Sequence, residues 1–105
     1  MKSQYHHVGI PTEEPRPNEE YLEEYKVYVS GFDTSPFGVE WMRFKPDSPL
    51  PEIVRTVPHV AFEVDDLEAA IVGHEVLIEP NSPSAGVRVA FILHNGAPIE
   101  FLEMR

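Results

Sequence analysis

The chain has 105 residues, a length typical of one domain, and its 42% hydrophobic content is enough for a buried core. Its formal net charge is −10, from 18 acidic and 8 basic residues. That balance argues against binding to nucleic acid or to an anionic membrane, which depends on clustered positive charge. With no cysteine, the chain has neither disulfides nor thiolate ligands, and we expect a cytoplasmic protein.

The first half of the chain predicts strands around one helix. Residues 5–10 alternate in side-chain type as a half-buried strand does, and a proline-rich connection follows them. Residues 18–25 predict a helix, with Asn18 as its N-cap and apolar side chains at helical spacing. A short strand at 27–32 and a stronger one at 39–44 complete this half.

The second half predicts a strand, a helix and then more strands. Residues 53–56 lead into a strand at 58–64, and an acidic pair after this strand can cap a helix at 67–72. Gly73 is suited to end that helix. The remaining elements are a strand at 75–79, a loop at 80–86, a strand at 87–94, an Asn95-Gly96 hairpin turn and a last strand at 99–104.

The two halves share two short motifs. Residues 7–10 (His-Val-Gly-Ile) match residues 59–62 (His-Val-Ala-Phe) as a histidine, a valine, a tiny residue and a large apolar one. Residues 39–42 (Val-Glu-Trp-Met) match residues 99–102 (Ile-Glu-Phe-Leu) in the same way. Such a repeat indicates one supersecondary unit that has been duplicated. We therefore expect a single domain over residues 1–105, built from a first module at about 1–48 and a second at about 52–105.

The repeat also predicts which side chains meet. In each module the neighbours of the histidine and of the glutamate are apolar and belong to the opposite strand face. His7, Glu40, His59 and Glu100 then all point into one concave space and form a candidate metal site. Imidazole and carboxylate groups suit divalent zinc, nickel, cobalt, manganese or iron; the alternative is a polar cup that holds only water. The apolar neighbours expected to lie under helices are Val8, Ile10, Val39, Trp41, Val60, Phe62, Ile99 and Phe101.

These motifs resemble those of the vicinal oxygen chelate superfamily, which includes glyoxalase I, bleomycin-resistance proteins, extradiol dioxygenases and methylmalonyl-CoA epimerase. The resemblance covers nearly the whole chain. It implies an α+β fold in which two paired βαβββ modules form a curled mixed sheet around a cup, here with a shortened first module. It also implies that His7, Glu40, His59 and Glu100 are the metal ligands.

The same resemblance implies a function. A glyoxalase-like lyase or isomerase would transfer a proton next to the carbonyl of a small substrate, through a metal-stabilised enediolate. Glu100 and Glu40 are the candidates for the catalytic proton shuttle, and the sequence does not rank them. The alternative is a small-molecule binding or sequestering protein of the bleomycin-resistance type, without catalysis. A dioxygenase would need only His7, His59 and Glu100. We expect a homodimer, since paired modules leave sheet edges exposed.

Other polar residues are weaker candidates. His6 competes with His7 for the ligand role, but strand alternation and the repeat both favour His7. We expect His74 and His94 at the surface, because each lies beside a turn. Glu63 shares a strand face with the second-module histidine and is expected to meet solvent. Three arginines on or near strands serve the surface or bind an anionic group of a substrate: Arg43, Arg55 and Arg88.

Overall fold

The computed structural model describes residues 3–105, which form one eight-stranded sheet, two short helices and a 3₁₀ turn at Phe32–Thr34. The helices are α1 (Glu52–Thr56) and α2 (Leu67–Ile71). The strands are β1 (Ser3–Pro11), β2 (Glu20–Leu22), β3 (Val27–Ser30), β4 (Val39–Phe44), β5 (His59–Val64), β6 (Glu75–Ser84), β7 (Val87–His94) and β8 (Ala97–Met104).

The sheet is mixed, with strand order β2-β3-β4-β1-β5-β8-β7-β6. In each half the first strand pairs in parallel with the last, β1 with β4 and β5 with β8, and the antiparallel pair β1–β5 joins the halves. The second half is a complete βαβββ module, whereas the first half, described from residue 3 onwards, has four strands and no α-helix. The predicted α+β fold with a shortened first module is therefore confirmed.

The two modules also share a strand register. In the first, Gly9 lies opposite Glu40 across the β1–β4 pair. In the second, Ala61 lies opposite Glu100 across the β5–β8 pair. Each of these small residues comes two positions after its module's histidine, so the repeat in the sequence corresponds to a repeat in strand pairing.

The prediction of a helix at residues 18–25 is wrong. This segment forms β2 and a tight turn that leads into β3, with Tyr21 opposite Tyr28 and their ring centroids 4.7 Å apart. Residues 20–22 pair with β3 as a strand, which excludes a continuous helix over this segment. Pairing with the sheet overrides local helix propensity here, because the hairpin also buries Leu22 against the apolar face of β3.

Two further boundaries differ from the sequence prediction. Residues 53–56 belong to helix α1 and do not lead into the strand, and residues 80–84, predicted as loop, extend β6. Irregular pairing of β6 with β7, with three register shifts, accounts for the second difference, because bulges let proline-containing segments stay in a sheet edge. The capping prediction for α2 is confirmed: Asp66 accepts a hydrogen bond from the Ala69 amide.

A helix covers the outer face of the sheet in the second module. There α2 packs on a cluster of Val64, Leu67, Ala70 and Ala90, with Phe101 against it. The first module has no helix among the residues described, so the prediction that its apolar residues lie under one is wrong. These residues are half-buried instead: Val8, Ile10, Val39 and Trp41.

Helix α1 lies on the concave side of the sheet, inside the cup. Its Val54 is fully buried and packs in a cluster with Leu50 and Phe91. The cup is closed where the β2–β3 turn meets β6, because the Tyr25 hydroxyl donates a hydrogen bond to Asn81 Oδ1. The linker between the modules thus fills one part of the cup and leaves the part next to β4 open. No helix within residues 3–105 is long and apolar enough to cross a membrane.

This packing predicts that Val54→Ala lowers the free energy of unfolding by about 2 kcal/mol, because it removes two buried methyl groups and leaves a cavity. Urea denaturation followed by circular dichroism measures the change. The matched control is Val72→Ala, whose side chain is 75% exposed and whose loss should cost less than about 0.5 kcal/mol. Equal losses in the two variants would show that α1 is not part of the core.

Candidate metal centre

The antiparallel pairing of β1 with β5 sets the floor of the candidate site. His7 lies opposite Ala61, and Gly9 lies opposite His59. Each histidine therefore faces a tiny residue of the other module, and both imidazole rings have room above the sheet. His7 and His59 are buried, with 4% and 1% of their surface exposed.

The structure brings three of the four predicted ligands into one cluster. Glu100 Oε1 lies 3.0 Å from His59 Nε2 and 3.2 Å from His7 Nε2. The ligand atoms of His7, His59 and Glu100 all lie within 4.8 Å of one another. Glu40 lies beside this cluster, with its Oε1 atom 3.6 Å from His7 Nε2. All four side chains share the concave face, as the repeat predicts.

Gly9 provides the space for the His59 ring. A methyl group added at Gly9 would lie 2.2 Å from His59 Cε1 and 2.7 Å from Nε2. Real Cβ atoms do not approach a ring this closely, so glycine is required here by the ring above it. The small residue in the first-module motif is therefore part of the site, although its side chain offers no ligand.

The donor set fits a divalent metal ion. Ligand atoms bound about 2.1 Å from one ion lie about 3.0–3.4 Å from each other, close to the distances between Glu100 and the two histidines. The Nε2 atom of His7 is buried and forms no hydrogen bond of acceptable geometry with any atom of residues 3–105. A buried nitrogen without a partner is costly unless something else binds it. Two imidazoles and one carboxylate would hold an ion and leave coordination positions open for a substrate.

The electrostatics of the cluster keep Glu100 ionised. Burial raises the pKa of Glu100, but its contacts with His59 and His7 outweigh burial and lower this pKa to about 2. For His7, burial lowers the pKa, while the close approach and charge of Glu100 raise it, and the net shift is upward from 6.5. Without a metal, a proton shared within the cluster therefore compensates the buried carboxylate.

Glu40 is in a different environment from Glu100. Its side chain is 23% exposed, against 10% for Glu100, and it lines a cavity of about 770 Å³ beside the cluster. Burial is the largest cause of a raised pKa at Glu40, opposed by the nearby His7. Phe32 and Ser35 line the same cavity. The two glutamates of the repeat thus differ: one is ionised within the cluster, and the other faces an open space.

Comparison with solved structures identifies the fold. A hypothetical protein from Bacillus halodurans superposes with a TM-score of 0.75 at 19% sequence identity, over 100% of this chain and 96% of that one. Methylmalonyl-CoA epimerase from Mycobacterium tuberculosis superposes with a TM-score of 0.66 at 20% identity, over 97% of this chain and 88% of that one. The chain has the vicinal oxygen chelate fold. No protein-family model and no curated protein sequence matches it.

The vicinal oxygen chelate fold of this chain contains site residues that sequence analysis did not assign. His6 Nδ1 lies 2.8 Å from His7 Nδ1, and the His6 ring stacks on Phe32 with centroids 5.0 Å apart. Burial, and then the neighbouring His7, lower the pKa of His6. The His6-His7 pair is visible in the sequence, but the contact depends on an irregularity in β1 that no sequence pattern indicated. The role of Gly9 likewise required the β1–β5 register.

The remaining polar candidates lie away from the cluster. His74, His94 and Glu63 are exposed, as expected. The three arginines are engaged within the chain and do not face the cavity: Arg43 pairs with Glu19 at 2.7 Å, Arg88 pairs with Glu68 and Glu103, and Arg55 donates to the Leu50 carbonyl.

Substitution of Gly9 by alanine tests the geometry of the site. The new methyl group forces the His59 ring to move, so we expect the affinity for zinc to fall at least about tenfold and stability to fall by about 1–3 kcal/mol. Competition with a chromogenic chelator measures affinity, and urea denaturation measures stability. In a His59→Ala background the stability loss from Gly9→Ala should largely disappear. An equal loss in both backgrounds would contradict the contact between Gly9 and the His59 ring.

Metal binding should depend on pH, because an ion must displace the proton that His7 holds in the metal-free protein. The pKa of His7 is raised above 6.5, so affinity for zinc should still increase between pH 6.5 and pH 8. It should level off once His7 is neutral. In the His7→Gln protein this increase should be smaller and overall affinity lower. Isothermal titration in buffers of different ionisation enthalpy counts the protons released, and no release above pH 6.5 would contradict the assignment.

Proposed function

We propose that this protein is a metal-dependent isomerase or lyase that moves a proton next to the carbonyl group of a small substrate. The observation that carries the proposal is the buried cluster of His7, His59 and Glu100, whose ligand atoms lie within 4.8 Å of one another. The cavity lined by Glu40 supplies space for a substrate next to it. The structural similarity to methylmalonyl-CoA epimerase is consistent with an isomerase.

His7, His59 and Glu100 are the proposed metal ligands. A divalent ion held by them would supply a Lewis acid that polarises a carbonyl oxygen and stabilises the negative charge of an enediolate. Glu100 suits a ligand role because it is ionised and contacts both histidines. The low pKa of Glu100 also makes it a weak base, whereas the pKa of Glu40 is raised.

Glu40 is the proposed catalytic residue. It faces the cavity, and its carboxylate lies 3.6 Å from His7 Nε2, so a substrate bound over the cluster would be within its reach. Its pKa is raised, and a raised pKa makes a carboxylate a better proton acceptor near neutral pH. Glu40 removes the proton from the carbon next to the carbonyl and returns it to the substrate. The Phe32 ring forms part of the cavity wall.

The experiment has a binding arm and a reaction arm. Protein purified without chelator should contain about one divalent ion per chain by mass spectrometry, and Glu100→Gln should lose it. Glu40→Gln should keep its metal but lose about 10²–10⁴-fold in proton-exchange rate, the usual contribution of a general base. Glu63→Gln is the matched control, because Glu63 is exposed on the strand that carries His59.

Proton exchange is followed by NMR in D₂O with small carbonyl compounds, beginning with methylmalonyl-CoA. Absence of bound metal, with no uptake of added zinc, nickel or manganese, would contradict the whole proposal. Bound metal with tight ligand binding but no exchange would favour the sequestering protein. The two-histidine, one-carboxylate cluster also suits iron(II), so oxygen uptake with catechol by the iron-loaded protein would favour a dioxygenase.

A further inference from the structure

An irregularity in β1 brings two consecutive histidines together. Tyr5 lies opposite Phe62 and His7 lies opposite Ala61, so the register shifts by one residue between Tyr5 and His7. The extra residue is His6. On a regular strand, neighbouring side chains point to opposite faces, and the His6 ring would not meet that of His7. The bulge redirects it, and the two Nδ1 atoms lie 2.8 Å apart.

The His6 ring is fixed by a second contact. It stacks on Phe32 with an angle of 12° between the ring planes, and Phe32 also meets the His7 ring edge-on, with centroids 5.8 Å apart. The Phe32–Thr34 turn places this phenyl ring, and Gly31 enters the turn with a positive φ of 91°. Contacts with the rings of His7 and Phe32, from two separate segments, therefore hold His6 in one orientation.

Two imidazole nitrogens at this distance share one proton, so one donates and the other accepts. A metal ion bound at His7 Nε2 uses the lone pair of that nitrogen, which leaves the ring proton of His7 on Nδ1. His7 Nδ1 then donates, and His6 Nδ1 must accept. Histidines that bind metals usually donate their second ring N–H to a protein acceptor, which fixes the tautomer and the direction of the ring.

We propose that His6 is a positioning residue whose Nδ1 atom accepts a hydrogen bond from His7 Nδ1–H and so presents His7 Nε2 to the metal. This inference rests on the proposed metal site. His59 is held differently: its Nδ1 atom has no hydrogen-bond partner in the described part of the chain, and its ring packs edge-on against Phe91 at 4.9 Å and over Gly9. Hydrogen bonding thus orients one ligand, and packing orients the other.

The first test compares two substitutions of His6 by zinc competition with a chelator. His6→Phe keeps an aromatic ring against Phe32 but has no acceptor, and should lower zinc affinity about 10- to 100-fold. In His6→Asn, the amide oxygen takes nearly the place of Nδ1, so affinity should stay within about threefold of the wild type. His94→Phe, at an exposed position, is the control and should bind zinc normally. Thermal denaturation of each metal-free variant confirms folding.

The second test uses the unaltered protein with ¹⁵N-labelled histidine. Loaded with zinc, His7 should show a protonated Nδ1 and a metal-shifted Nε2, while His6 should show a bare Nδ1 and a protonated Nε2 that zinc does not shift. The inference is overturned if His6→Phe binds zinc normally, if His6→Asn loses as much affinity as His6→Phe, or if His6 itself shifts as a ligand. Failure of the wild type to bind zinc, nickel or manganese would instead overturn the proposed metal site on which this inference rests.

Discussion

The antiparallel register of β1 and β5 is the constraint on which the candidate site depends. It sets His7 beside Ala61 and Gly9 beside His59, so that each imidazole ring rises over a residue with almost no side chain. A slip of one residue would put the two histidines on opposite faces of the sheet, because strand side chains alternate. A larger residue at Gly9 would occupy the volume of the His59 ring. The two modules are thus joined by the same hydrogen bonds that assemble the site.

The two modules differ in their helix content, and their glutamates differ in burial and pKa. The second module retains its helix, and Glu100 lies buried against both histidines, which lower its pKa to about 2. The first module has no helix among the described residues, and Glu40 lies at the cavity with a raised pKa. Helix α1 occupies the other part of the cup, where its Val54 packs against Phe91 of β7. Glu40 and Phe32 line the cavity in the part of the cup that α1 leaves open.

Much of this architecture could be inferred from local patterns, and the exceptions have physical causes. Two matching motifs predicted the paired modules and the shared face of four polar side chains, and the acidic pair after Val64 predicted the capped helix. The segment 18–25 misled because its apolar spacing suits a helix or a hairpin equally well. Sheet pairing decided between them: β2 can bury Leu22 and stack Tyr21 on Tyr28 only as a strand. The bulge at His6 left no trace in the residue pattern, since any residue type can occupy it.

The sequence alone shows the ligand types, their spacing and the repeat. The face on which each side chain lies also follows from the sequence, because strand alternation is a local property. Strand alternation and the repeat were enough to place His7, His59, Glu40 and Glu100 on one face, and the resemblance of the motifs to the vicinal oxygen chelate superfamily predicted the fold. The different environments of the two glutamates and the contact of His6 with His7 emerged only in the folded chain. They depend on distances between segments far apart in sequence: β1 against β5, the Phe32 turn against His6, and α1 within the cup. Burial and charge interactions depend on which segments come close in the folded chain. The tertiary structure therefore determines the pKa values and the hydrogen-bond partners.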